Sequence, residues 1–186
     1  MGKQPMPSRV LLDTNVYGEI IISPDLVRAI EFLNRKQAYI FYGMSLIRSE
    51  LRATPRDKRS ESGKVRLLML TLYDALVRKT NRDLRITGLI EMIAQRYTAE
   101  YKRLGGSLAA HGVRADFQIV ACASFHRLDI VVSHDQRSML SHAAQGAYRS
   151  INREFELRTP MFKSYATFRT ELMRDWRSIS QNASLP

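Results

Sequence analysis

The chain has only one cysteine among its 186 residues, Cys122. That excludes an internal disulfide framework and any cysteine-based zinc cluster. Cys122 sits in the apolar run "IVACAS", where a thiol is expected to be buried and inert. No apolar run approaches the ~20 residues that a membrane-spanning helix needs. "MGKQPMPSR" has no apolar core of a signal peptide, and "MGKQPM" lacks the Ser or Thr of a myristoylation site. A soluble cytoplasmic protein is therefore expected. G-x-S-x-G, H-E-x-x-H and Gly-rich phosphate loops are absent, which excludes the enzyme classes that depend on them. Acids are scarce: 18 Asp and Glu stand against 29 Lys and Arg, a net charge of +11. A field of that sign attracts polyanions and favours nucleic acid modestly over a merely solvated basic surface.

Hydrophobic residues make up 45% of the chain and charged residues 25%. These proportions and this length fit one domain with its own core. Residues 1–8 are expected to be disordered, 9–177 to form the domain, and 178–186 to fray. "RVLLDT", "AYIFYG", "LDIVVSHD" and "ELRTPMFKSY" predict strands. Helices are expected over "SPDLVRAIEFLNRK", with Ser23 as N-cap and Pro24 at the first helical position, and over "MSLIRSELRAT", ended by Pro55. "ADFQIVACASFHR", "QRSMLSHAAQ" and "ATFRTELMRDW" predict further helices, the second of them short. Between the second and third strands, helical spacing over about 62–79 and 84–104 predicts an inserted helical hairpin. Strands alternating with helices predict a mostly parallel sheet with right-handed crossovers. The expected fold is α/β, three layers with helices on both faces of the sheet.

In such a sheet the carboxyl ends of all strands share one edge, where ligands bind. Asp13 ends the first strand, Asp135 follows the third, and Asp116 is expected to open the helix that leads into the third. Glu50 lies about two turns into the helix after the second strand. All four can face one cleft. Taken singly, Asp13, Asp116 and Asp135 also read as helix N-caps, and Glu50 as a surface residue. Taken together, four carboxylates repel one another, and a divalent cation resolves the conflict. All-oxygen donors suit Mg²⁺ or Mn²⁺. Asn15 is placed to add a neutral oxygen or to bind water beside Asp13.

The blocks "VLLDTN", "GMSLIRSEL", "RADFQIVACASFHRLDIVVSHD" and "TPMFKSYATF" resemble, in order, those of PIN-domain ribonucleases, which include the VapC toxins of toxin–antitoxin pairs. The resemblance implies a PIN-like domain and a metal-dependent endoribonuclease that leaves a 5′-phosphate and a 3′-hydroxyl. By position it implies that Asp13, Glu50, Asp116 and Asp135 hold one or two ions, with Asn15 as their polar partner. It also implies RNA as substrate, an antitoxin partner for toxin members, and a homodimer in many relatives. The chain departs from the pattern at His134, where Asn or Arg commonly precedes the last acid. The segment 62–104 makes it longer than a compact toxin.

Arginines cluster over "RSELRATPRDKRSESGKVR" and "RKTNRDLR". Arg48, Arg52, Arg56, Lys58, Arg59 and Arg82, with His134, are the expected RNA-backbone contacts. Tyr97 and Tyr101, four apart, suit base stacking or the core; Thr14, Ser45 and Ser133 suit phosphate positioning or turn capping. Two rivals stand beside the nuclease. A haloacid-dehalogenase-like phosphatase needs a second Asp where this chain has Asn15. A non-catalytic RNA-binding or scaffold protein would have no need of four acids.

Overall fold

The computed structural model describes residues 6–55, 59, 60, 63–77 and 82–182. Five parallel strands form one sheet in the order β5-β2-β1-β6-β7: β1 (Ser8–Leu12), β2 (Tyr39–Met44), β5 (Asp83–Leu84), β6 (Ile130–Ser133) and β7 (Met161–Ser164). The shortest strand, β5, is at one edge. A two-stranded ribbon, β3 (Arg59–Ser60) with β4 (Gly63–Lys64), lies outside the sheet. The central strand β1 carries Val10, Leu11 and Leu12 fully buried. An all-apolar run of this kind is what a parallel strand covered on both faces requires.

Helices make the two outer layers. One contains α1 (Thr14–Ile21), α2 (Pro24–Arg35), α3 (Ser45–Ala53), α4 (Val65–Leu76) and α8 (Tyr165–Asn182), connected by packing of α1 on α2 and α4, α3 on α4, and α2 on α8. The other contains α5 (Gly88–Arg103), α6 (Ala110–Phe125) and α7 (His142–Glu154), with α5 packed on both α6 and α7. In this second layer Phe117, Tyr148, Tyr97 and Tyr101 pack edge-to-face. No helix among the described residues is long and apolar enough to cross a membrane.

Local chemistry explains most boundaries. The Ser23 hydroxyl accepts the Leu26 N–H, and Pro24 opens α2 as expected. The two helices expected over about 62–104 are present as α4 and α5, but β5 separates them. Leu84 pairs with Met44 instead of starting a helix, and Thr87 caps α5. The edge strand carries the chain across the sheet, so α4 and α5 pack in different layers. The helix expected from Ala115 starts earlier, at Ala110, because Val113 and Phe117, four apart and both buried, extend its apolar face by a turn. The short helix expected over 136–145 is displaced. Gln136–Leu140 form a turn, and α7 starts after the Ser141 cap and runs on to Glu154. At the other end, α8 remains helical to Asn182, past the expected fraying point. Residues 1–5 and 183–186 lie outside the described residues, and Ser8 already belongs to β1.

Gly43 joins β2 to this framework. Its N–H donates to the Arg82 carbonyl, and a Cβ there would stand 2.4 Å from the Tyr73 hydroxyl. Tyr73 is fully buried and donates toward the Met44 carbonyl and Asp83 Oδ1, so its ring has nowhere to retreat. Gly43→Ala is expected to destabilise the fold by about 2 kcal/mol, the scale of overpacking a filled interior. Urea denaturation of the purified variant against the parent measures it, and an unchanged midpoint would contradict the close approach.

Candidate active site

β1 ends at Leu12, and the chain turns at Asp13 into α1. The Asp13 carboxylate is buried and spans the first gap between strands. Its Oδ1 accepts the Thr14 N–H at 2.7 Å, and its Oδ2 accepts both the Asn15 side-chain amide at 2.7 Å and the Ser133 hydroxyl at 2.7 Å. Ser133, the last residue of β6, in turn accepts the Asp135 N–H at 3.0 Å. Asn15 Oδ1 accepts the His134 N–H at 3.1 Å. Both ends of the Asn15 amide are thus used to tie the β1–α1 turn to the end of β6. That places no general acid two residues after Asp13, as a dehalogenase-like phosphatase would need.

Asp135 Oδ1 accepts the N–H groups of Arg137 and Ser138 at 2.8 and 2.9 Å, an Asx turn that organises the loop before α7. The Ser138 hydroxyl donates to Asp116 Oδ2, so this one residue links two of the acids. Asp116 is the seventh residue of α6, well past the free N–H groups of the first turn. Capping therefore does not explain it. Glu50, the sixth residue of α3, accepts the Thr14 hydroxyl through Oε2. Ser138 was not singled out from the sequence. Its spacing of three after Asp135, the spacing of a capped turn, was the available signal.

The acids influence one another electrostatically. Burial pushes Asp116 up to about 7; the Ser138 hydrogen bond opposes this, and the charges of Asp13, Asp135 and Glu50 add to it. Burial also raises Asp13, with Glu50 adding to the rise and the bonds from Ser133, Thr14 and Asn15 resisting it. At Asp135 burial is outweighed by hydrogen bonds from Ser138 and Arg137 and by the Arg137 charge, so the carboxyl lies below its ordinary value. Elsewhere the protein pairs its acids with arginine: Asp129 with Arg9 and Arg158, Asp74 with Arg48, Glu91 with Arg114. Among the described residues, no ion pair reaches Asp13, Glu50, Asp116 or Asp135.

Among the described residues, no three acidic, His or Cys side chains stand together as a ready metal shell. Glu50 and Asp116 are held by hydroxyl groups instead. The donor chemistry still fits a hard divalent cation: carboxylate oxygens of one sign, two of the acids raised by burial with a further rise from neighbouring acids. Occupancy would require Glu50 and Asp116 to exchange those hydroxyl partners. An open cleft of about 410 Å³ is lined by Asn15, Glu19, His134, Asp135, Gln136 and Arg137, with Asp135 the one of the four acids in its lining. A cavity of about 390 Å³ between α5 and α6 contains none of the four acids.

The expected RNA contacts are scattered. Arg48 is largely buried against Asp74, and half-buried Arg82 reaches Asn34 at 3.4 Å. Arg52 is exposed, and His134 is exposed at the cleft rim. Arg56 and Lys58 lie outside the described residues, as does the Arg59 side chain. Tyr97 and Tyr101 are core residues, with Tyr97 bonded to Asn152 and Ser124. Cys122 is buried, and burial raises its thiol to about 12.

No family model matches the chain, and no curated protein matches it. Solved structures do. FitAcB from Neisseria gonorrhoeae matches at 23% identity and TM-score 0.51, over 73% of this chain and 93% of that chain. VapBC2 from Rickettsia felis, bound to a DNA fragment from their promoter, matches at 11% and 0.54, over 84% and 98%. FitAB bound to an IR36 DNA fragment matches at 19% and 0.52, over 84% and 94%. These findings overturn the family assignment drawn from the motifs. No family model carries it, and FitAB and VapBC are two-component complexes whose names single out no ribonuclease chain. At such identities they establish the fold alone, a PIN-like three-layer α/β/α arrangement.

Asp116 gives a stability signature. Its folded value lies above its ordinary one, so folding favours the protonated acid. Below about pH 4 the acid is neutral in both states and has no effect. From about pH 4 to 7 the unfolded chain loses a proton that the folded chain keeps, so stability falls as pH rises. In chelator, Asp116→Asn is expected to match the parent near pH 4 and to exceed it by about 2 kcal/mol at pH 8, after discounting for solvent screening. Denaturation midpoints across that range measure the difference. A gain that is equal at both ends would contradict the raised value.

Proposed function

We propose that this chain is a divalent-metal-dependent endoribonuclease whose active centre is the cluster Asp13, Glu50, Asp116 and Asp135. The observation that carries this reading is the unpaired state of the cluster. In a protein of net charge +11, these acids lie at one sheet edge with no salt bridge to an arginine among the described residues, while the Arg137 charge acts on Asp135. A stabilising role would favour the opposite arrangement, since an isolated buried carboxylate is costly.

In this reading the four carboxylates hold Mg²⁺ or Mn²⁺. Ser133 and Asn15 fix Oδ2 of Asp13 while the Thr14 N–H fixes Oδ1, and Ser138 fixes one oxygen each of Asp116 and Asp135. The rigid ends of β1 and β6 supply the platform that precise positioning needs. When bound, the cation supplies the Lewis acidity that makes water a nucleophile near neutral pH and offsets the charge growing on the phosphodiester. His134 and Arg137 line the cleft and are placed to meet the substrate backbone. The shared fold with VapBC2 and FitAB supports a protein antitoxin as partner, and the cytoplasm is the compartment proposed for it.

The test is cleavage of a panel of single-stranded RNAs, with matched DNAs, in Mn²⁺, Mg²⁺ or chelator. The parent is expected to cut RNA only with metal. Asp13→Asn and Asp116→Asn are expected to lose at least roughly 100-fold in rate while remaining folded. Pure Asp116→Asn protein cutting at the parental rate would remove that residue from the centre. Cleavage of DNA alone would overturn the substrate.

A further inference from the structure

The outer face of α8 carries a groove of about 880 Å³ that the cluster of acids does not use. Its lining includes Tyr165, Arg169, Met173, Arg174 and Arg177 and contains no acid. Arg169, Met173 and Arg177 recur every four residues, so they form one stripe, about 12 Å long at 1.5 Å per residue. The two acids of α8 are engaged elsewhere. Glu171 pairs with Lys163, while Asp175 accepts the Tyr39 hydroxyl at 2.7 Å and the Arg174 guanidinium at 3.2 Å. Arg169 and Arg177 are exposed, and neither has a carboxylate partner among the described residues.

The groove adjoins the cleft through Tyr165. α8 follows β7 directly, so its first turn lies at the carboxyl edge of the sheet. Tyr165 lines the groove. Its hydroxyl donates to the Glu19 carbonyl at 3.3 Å, and its ring centroid is 6.3 Å from that of His134. Glu19 and His134 both line the cleft. A chain leaving the cleft past His134 therefore crosses Tyr165 and meets Arg169 first and Arg177 beyond it.

We propose that this groove binds the phosphodiester backbone of single-stranded RNA flanking the bond to be cut, with Arg169 and Arg177 as the two phosphate contacts. The proposal rests on the nuclease reading for its choice of polyanion. Its physical basis is charge complementarity: two unpaired guanidinium groups on a rigid helix, beside an open cleft, on a protein with a large positive charge. The cluster of acids repels phosphate, so affinity must come from a neighbouring surface. The arginines first expected to supply it are spent in ion pairs, scattered, or outside the described residues.

The test uses the full chain and a fluorescein-labelled, unstructured 20-nucleotide RNA, followed by anisotropy in chelator so that no cleavage occurs. Arg169→Ala/Arg177→Ala is expected to weaken binding about tenfold near 0.1 M salt. It should also flatten the slope of log affinity against log salt by about 1.4, the value for two single-strand phosphate contacts. Arg169→Lys/Arg177→Lys, which keeps the charge, should recover most of the affinity, and matched thermal midpoints would show that both variants fold. Affinity within twofold of the parent, with an unchanged slope, would overturn the proposal. So would a loss seen with a poly-glutamate peptide or duplex DNA but not with RNA. A parent that cuts no RNA in Mn²⁺, combined with the expected loss of binding, would end the nuclease reading and leave the groove as an RNA site.

Discussion

Like-charge crowding at the carboxyl edge of the sheet is the constraint on which the rest of this structure depends. Asp13 is buried and Asp116 half-buried, and each feels at least one other carboxylate. The protein tolerates this by giving each acid polar donors of its own: Ser133 and Asn15 for Asp13, Ser138 for Asp116, Thr14 for Glu50. These are hydroxyl and amide donors, which orient a carboxylate without neutralising it. At the opposite end of β6 the same problem is solved differently. Burial of Asp129 is outweighed by hydrogen bonds and charge from Arg9 and Arg158, and its carboxyl lies below the ordinary value. The fold thus treats its two sheet edges by opposite rules: neutralised acids at the amino edge, exchangeable partners at the carboxyl edge. Partners of the second kind can be displaced by a stronger ligand for oxygen.

Much of this was legible in the sequence because it is local. The run of apolar residues ending at Asp13 sets β1, Ser23 and Pro24 set the start of α2, and strand–helix alternation sets a parallel sheet. The convergence of Asp13 and Asp135 follows from topology alone, since both sit where strands end. What was not legible depended on long-range competition. Asp116 read as a helix opener because an acid before an apolar run has that look, yet Val113 and Phe117 draw the helix back to Ala110. Leu84 read as helical by spacing, yet the open side of β2 at Met44 recruited it as a strand. Asn15 read as a neutral oxygen or a water-binding group beside Asp13, and its amide also bonds Asp13 and the distant His134 N–H. In each case a partner distant in sequence supplied the deciding bond.

The same reasoning explains why the arginines misled. Density along the chain gives the charge available, and ion pairing decides how much of it remains. Arg48 stands in a dense cluster but serves Asp74. Arg169 and Arg177 stand in an ordinary amphipathic helix and keep their charge, because Glu171 and Asp175 face other partners. A reading by composition favours the first region, and a reading by unpaired charge favours the second. Only the second quantity reaches a ligand.

The two fields of this molecule place a condition on any nucleic-acid chemistry at the cleft. A net charge of +11 draws a phosphate backbone from a distance, but in physiological salt that attraction decays over about 8 Å. Inside this range a phosphate backbone would meet Asp13, Glu50, Asp116 and Asp135, which would repel it. Asp116 relieves part of the conflict by holding a proton up to about pH 7. A neutral carboxyl, however, neither repels phosphate nor activates water. Full ionisation of the cluster and close approach of a phosphodiester are compatible only if a cation of charge two or more lies between them. In the proposed reading, crowded acids, exchangeable hydroxyl partners and free arginines just beyond the rim are parts of one arrangement, in which attraction would be supplied outside the cleft and a metal would make its interior habitable.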